Sequence, residues 1–273
     1  MRCLPSATLV GAGLIVSLWA LDGAAANGAG RSKTPAAPKT ESVGSPNEGR
    51  LEGGRRLESS KTLKAVRSHR WGVPSLVGML ERGASRVAKK FPGSVLVVGD
   101  LSRKGGGDVD GHRSHESGRD ADVGFFYKRG KKAWVSQRFL PVDEEGKAVG
   151  FPAVTFDDAR NWALVESWLS DSESNVQLIL VAQHIKLRLL AQGRRAGASP
   201  EILNRAAGLM IQPSRGLPHD NHFHVRVACP RSSDDCIEYG TRESKAKKAE
   251  PRTTGQGKVA RSPTKKKRAP KKS

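Results

Sequence analysis

Between Pro74 and Lys90 the apolar residues Leu76, Val77, Leu80, Val87 and Ala88 recur at helical spacing, and Phe91-Pro92-Gly93 supplies a stop. The spacing predicts a helix there. Val95 to Val98 is an unbroken apolar run ending at Gly99, as expected of a buried strand. Asp157 to Leu169 predicts a second helix, because Trp162, Leu164, Val165, Trp168 and Leu169 give it a broad apolar face. Val176 to Val181 reads as a strand, and His184 to Leu190 and Pro200 to Leu209 as helices. Two short segments alternate strictly. In the first, Asp120 and Asp122 share one face while Ala121, Val123 and Phe125 share the other; in the second, His222, His224 and Arg226 oppose Phe223, Val225 and Val227. The mixture predicts an α+β domain, with a small antiparallel sheet carrying these polar residues and helices flanking it.

The ends have a different character. Met1-Arg2, the apolar run Leu9 to Leu21 and Ala24-Ala25-Ala26 read as a secretory signal peptide over residues 1–26, cleaved near Ala26, with no transmembrane segment left in the mature protein. Residues 27–62 are mostly Gly, Ser, Pro, Ala and charges, so a disordered linker is expected. Residues 242–273 hold 13 Lys or Arg against Glu243 and Glu250, a net of +11, and read as a disordered basic tail. The folded domain is then expected over residues 63–241. Removing the tail's +11 from the chain's formal +20 leaves +9, so the remainder is basic too. Cleavage would remove Cys3, leaving Cys229 and Cys236 to pair in an oxidising periplasmic or extracellular compartment. Composition excludes collagen, coiled coil and a multi-span membrane protein, and no repeat or phosphate-binding glycine motif follows a strand-like run.

Five of the seven histidines lie in two short segments, His112 and His115 before the first alternating strand, and His219, His222 and His224 around the second. If those strands pair, a carboxylate and two imidazoles converge, and His115 swings in from the turn. His115, Asp122 and His224 form a three-ligand set for zinc with an open fourth position, as catalytic zinc requires. Such a site polarises a carbonyl and acidifies a bound water, and His222 is placed to take that water's proton. Asp120, on the same face as Asp122, is a further candidate, beside the ligands or among them. The bland alternatives are a histidine-rich surface strand or a closed four-ligand site.

Gly99-Asp100-Leu101-Ser102-Arg103 with Gly105-Gly106-Gly107, then His112-Arg113-Ser114-His115-Glu116-Ser117-Gly118-Arg119-Asp120-Ala121-Asp122, then His219-Asp220-Asn221-His222-Phe223-His224-Val225-Arg226 and Cys229-Pro230, resemble the penicillin-insensitive murein endopeptidases. The resemblance spans roughly Trp71 to Ile237. It implies zinc on His115, Asp122 and His224, His222 as catalytic base, and His219 helping to bind substrate or stabilise the transition state. His112 matches a position linked to metal binding and is ranked beside the ligands. A Cys229–Cys236 disulfide also fits the family. Glu116 departs from the pattern, standing where the family often has Gln. The implied reaction is hydrolysis of the D-alanyl–meso-diaminopimelyl cross-link of peptidoglycan without an acyl-enzyme. The triple-glycine segment reads as a loop that lets backbone approach substrate.

Two other readings compete. A zinc D,D-carboxypeptidase on uncross-linked stems would share the chemistry but need a cation for the terminal carboxylate, for which Arg103, Arg113 and Arg119 are candidates. A non-catalytic envelope protein could instead bind anionic polymers through its tail. The tail lacks interleaved aromatics, so specific nucleic-acid readout is not expected.

Overall fold

Helix α1 (Pro74–Lys90) begins with proline in its first turn and ends with Lys89 and Lys90 against its carbonyl end. Those bounds match the sequence pattern. The protein is described by a computed structural model covering residues 39–238. The expected signal peptide and basic tail, the linker up to residue 38 and the last residues of the expected domain lie outside the described residues.

In chain order the other elements are β1 (Glu41–Ser45), β2 (Glu48–Glu52), β3 (Arg55–Arg56), β4 (Leu63–Ala65) and β5 (Trp71–Gly72) before α1. After it come β6 (Leu96–Val98), β7 (Asp120–Gly124), β8 (Tyr127–Arg129), β9 (Lys132–Trp134), β10 (Lys147–Ala148) and β11 (Phe151–Phe156). Then follow α2 (Asp158–Leu169), β12 (Val176–Leu180), α3 (Gln183–Arg195), α4 (Pro200–Leu209), β13 (Met210–Ile211) and β14 (His222–Val227). The fold is α+β, as the pattern predicts. The main sheet, however, has six strands in the order β13-β12-β14-β7-β6-β4 and is parallel at its outer pairs, so only its centre is antiparallel. A second sheet of four strands is ordered β10-β11-β8-β9.

Helix α2 is buried over most of its surface because α1, α3 and α4 all pack on it. Asp157 caps it, accepting from the Arg160 backbone N–H at 3.1 Å. Trp168 of α2 then meets Phe223 of β14 edge-on at 5.8 Å, and both are fully buried. Fully burying one such side chain contributes about 1.5–3 kcal/mol. The helical layer thus covers the face of the sheet bearing Ala121, Val123, Phe223, Val225 and Val227, and the opposite face bears Asp120, Asp122, His222, His224 and Arg226.

The expected linker needs correction. Residues 41–52, within the expected disordered segment, form the β1–β2 hairpin, and Leu51 and Leu57 join the core. Backbone hydrogen bonds to distant segments replace the missing apolar residues: Gly44 donates to Asp235, Leu51 to Gly105 and Glu116 to Pro46. The Glu116 carboxylate accepts from the Gly49 N–H at 3.0 Å, and Ser42 Oγ donates to the Ser117 carbonyl at 2.9 Å. Within the triple-glycine segment, Gly106 thus admits the chain's own β2, while a Cβ on Gly105 or Gly107 would meet open space. At Gly106 (φ +73°) a Cβ would stand 2.4 Å from the Leu51 nitrogen.

Candidate active site

Strands β7 and β14 pair antiparallel with Asp122 opposite His224, Asp120 opposite Arg226 and Gly124 opposite His222. The pairing assumed from alternation is thus present, in a register that juxtaposes carboxylates and imidazoles. His224 lies between both aspartates, with Nδ1 3.1 Å from Asp122 Oδ1 and Nε2 2.9 Å from Asp120 Oδ1. Both ring nitrogens face acceptors, so the metal-free arrangement favours an imidazolium. Burial alone would lower the His224 pKa, but Asp120 and then Asp122 raise it to about 9. Burial likewise works to raise Asp120, yet Arg226, which donates to it from Nε at 2.6 Å, and His224 hold it well below the usual carboxylate range. Asp122 is held down in the same way, against burial, by His115, His222 and His224.

His115 sits in the turn before β7 at φ 76°, a left-handed conformation unusual for a non-glycine residue. It is fully buried, and Nδ1 donates to the Leu101 carbonyl at 2.8 Å. That bond leaves Nε2 as a lone pair, without a hydrogen-bond donor, 3.3 Å from Asp122 Oδ1. A buried lone pair facing a carboxylate is unfavourable unless a cation, a proton or a metal ion, lies between them, and a metal ion fits the donor set of these residues.

His112 joins them. Ligand atoms of His112, His115 and Asp122 all lie within 4.8 Å of one another. The expected third ligand, His224, is adjacent to this group, its ring 4.9 Å from that of His115. His112 Nε2 is 3.5 Å from Asp100 Oδ2, and His69 Nδ1 is 3.0 Å from Asp100 Oδ1. The contact with Asp100 raises the His112 pKa against the effect of burial. Neither Asp100 nor His69 is given a role by the sequence pattern, although Asp100 lies in the Gly99–Arg103 segment that carries the resemblance.

His222 donates from Nδ1 to Asn221 Oδ1 at 2.5 Å, and its Nε2 lies 3.5 Å from Asp122 Oδ1. His219, at φ 57°, donates from Nδ1 to the Leu217 carbonyl at 3.0 Å, and its ring lies 4.9 Å from that of His222. Burial, then the neighbouring His222, lowers its pKa to about 4, so it is neutral near pH 7 with Nε2 as an acceptor. Among the described residues His184 belongs elsewhere, its Nε2 2.8 Å from the Val142 carbonyl. None of these groups borders the cavity of about 700 Å³ lined by Pro74, Ser75, Asn175, Cys229 and Arg231.

Of the arginines considered for a terminal carboxylate, Arg119 is not available. It is fully buried, and its guanidinium donates to Glu238 Oε2 and the Ile237 carbonyl, both at 2.9 Å. Glu238 Oε1 also accepts from the Cys229 N–H, and the expected Cys229–Cys236 disulfide is present. Arg103 and Arg113 are exposed. No helix among the described residues is long and apolar enough to cross a membrane.

Comparison with known proteins finds that the family described as penicillin-insensitive murein endopeptidase matches residues 42–272, starting inside the β1–β2 hairpin. Proteins bearing that name are similar to this chain: one from Yersinia enterocolitica at 31% identity, covering 68% of this chain and 64% of the relative. One from Haemophilus influenzae is 30% identical, covering 72% and 67%, and one from Escherichia coli is 28% identical, covering 74% and 71%. The chain thus spans just under two thirds of the length of the Yersinia enterocolitica protein.

Proposed function

Since the chain belongs to the penicillin-insensitive murein endopeptidase family, we propose that it is a zinc-dependent hydrolase that cleaves the D-alanyl–meso-diaminopimelyl amide cross-link of peptidoglycan. The observation that carries the reading is the buried His115 Nε2 lone pair set against Asp122, with His112 and His224 around it. His115, Asp122 and His224 would hold the metal, and His112, whose ligand atom lies within 4.8 Å of those of His115 and Asp122, could join them. Zinc would supply Lewis acidity toward the scissile carbonyl and lower the pKa of a water.

The chain's own groups do the rest. His222, with its Nδ1 proton committed to Asn221, presents Nε2 as the acceptor for the attacking water's proton and returns that proton to the departing amine. His219, neutral with its lone pair at Nε2, accepts a substrate N–H better than it stabilises an oxyanion. Asp120 and Arg226 fix His224 from behind. No serine or cysteine nucleophile is required, and both described cysteines are in the disulfide. An acylating inhibitor such as penicillin then has no nucleophile to trap.

A substrate in the cell wall, together with the disulfide, supports an envelope location after cleavage near Ala26. The test is digestion of purified cross-linked muropeptide dimers by zinc-loaded protein. Conversion to monomers, abolished by chelation and restored by zinc, is expected. Release of terminal D-alanine alone would establish a carboxypeptidase instead, and binding without either reaction a polyanion-binding protein.

A further inference from the structure

His222 is constrained on three sides. Asn221 accepts from its Nδ1, its Nε2 lies 3.5 Å from Asp122 Oδ1, and the flat of the ring is covered by Phe139, with centroids 5.0 Å apart and planes inclined by 20°. Phe139 belongs to the loop between β9 and β10, outside any regular element, and is half-buried. Such a side chain would ordinarily have freedom to move, yet two features fix it.

The first is its floor. Gly99, just after β6, and Gly124, at the end of β7, lie beneath the ring. A Cβ on Gly99 would stand 2.8 Å from Phe139 Cζ and 3.0 Å from Cε2; one on Gly124 would stand 2.9 Å from Cε1. Neither glycine has positive φ, so the backbone does not demand glycine at these positions. The missing side chains make room for the phenyl ring. Gly124 is also the register partner of His222, which places the ring directly beside the imidazole. The second feature is a tether. The next residue, Leu140, is buried, donates its N–H to Tyr127 Oη at 3.1 Å and accepts the Tyr127 hydroxyl at 2.8 Å.

We propose that Phe139 is a positioning residue for His222, its ring seated on Gly99 and Gly124 and tethered through Leu140 so that the imidazole plane keeps Nε2 facing the cluster of His115, Asp122 and His224. The proposal rests on the reading of His222 as proton acceptor. Aromatic stacking fixes orientation without supplying charge or a proton, so its loss falls on turnover and spares metal binding.

The test uses full-length zinc-loaded protein with the variants Phe139→Leu, Phe139→Ala, Gly99→Ala and the Gly99→Ala/Phe139→Ala pair. Misaligning a catalytic group lowers kcat by about tenfold to a hundredfold, which is the expectation for both Phe139 variants. KM on muropeptide dimers should stay within about twofold, and zinc content should be unchanged. Gly99→Ala, whose only tight contact is the phenyl ring, should lower kcat alone yet add nothing in the Phe139→Ala background. The ¹⁵N resonances of His222 should report one fixed tautomer in the parent and averaging between tautomers in Phe139→Leu. Unchanged kcat, a loss confined to KM, or fully additive effects of the two substitutions would overturn the proposal. If the parent protein cleaves no dimer, the peptidase reading fails while the resonances still decide the positioning: averaging upholds it, and a fixed tautomer in Phe139→Leu overturns it.

Discussion

Asp122 and His224 face each other across the β7–β14 ladder, Oδ1 to Nδ1 at 3.1 Å, and the same carboxylate oxygen lies 3.3 Å from His115 Nε2. One carboxylate on one strand therefore gathers an imidazole from the partner strand and another from the preceding turn. The assignment of separate roles to neighbouring histidines follows from that convergence.

His224→Ala should lose both zinc and turnover. His222→Ala should retain zinc and lose turnover by about 10² to 10⁴, the usual contribution of a general base. Metal analysis beside the dimer assay checks this, and zinc released equally by both substitutions would contradict the separation.

The His224 pKa of about 9 implies a definite stability profile for metal-free protein. Its folded pKa lies above the ordinary 6.5, so the stabilisation is fully present below that value and is lost as pH rises through about 9. Asp120 and Asp122 are shifted the other way, so theirs is present above the ordinary carboxylate range and fades on acidification. Thermal midpoints of chelated protein should fall on the alkaline side, whereas zinc-loaded protein should resist that fall because the metal takes deprotonated ligands. Identical alkaline limbs for the two forms would count against His224 as a ligand.

Leu51→Ala tests the hairpin. Leu51 is 1% exposed and lies against Gly118 in the histidine-bearing turn. Truncating it should cost about 2–5 kcal/mol by leaving a cavity, and should speed zinc loss by loosening the turn that holds His115. Calorimetry and competition with a chromogenic chelator measure the two effects. No change in either would return the segment to the status of a linker.

Deleting residues 242–273 removes 13 basic side chains. Cleavage of small soluble dimers should be unaffected while co-sedimentation with intact sacculi weakens. The difference should shrink with salt, since screening acts within about 8 Å at physiological ionic strength. An equal loss in both assays would place the tail's contribution in the active site or the fold.

The local pattern determined α1, α2 and α4 almost residue by residue, because each carries an apolar face with a capping or proline start, whereas α3, expected over His184–Leu190, runs Gln183–Arg195, with no side-chain cap at its start and a polar, basic last turn that carries no apolar signal. It also determined which residues share a face of β7 and β14, since alternation in a strand is geometric. Histidine clustering marked the candidate residues because each cluster lies in one short segment; bringing the two segments together, with Asp122 and His224 102 positions apart in the chain, took the pairing of β7 with β14. Tertiary structure alone decided the hairpin. Its strands hold one strongly buried leucine and are bonded through backbone groups to residues 105–117 and 235–237, partners that side-chain composition does not encode. It also brought Asp100 and His69 to His112, and Phe139 to His222. Phe139 shows no periodicity; it is fixed by the absence of a Cβ on Gly99 and Gly124 and by the Tyr127 hydroxyl, contacts that exist only once the sheets have formed.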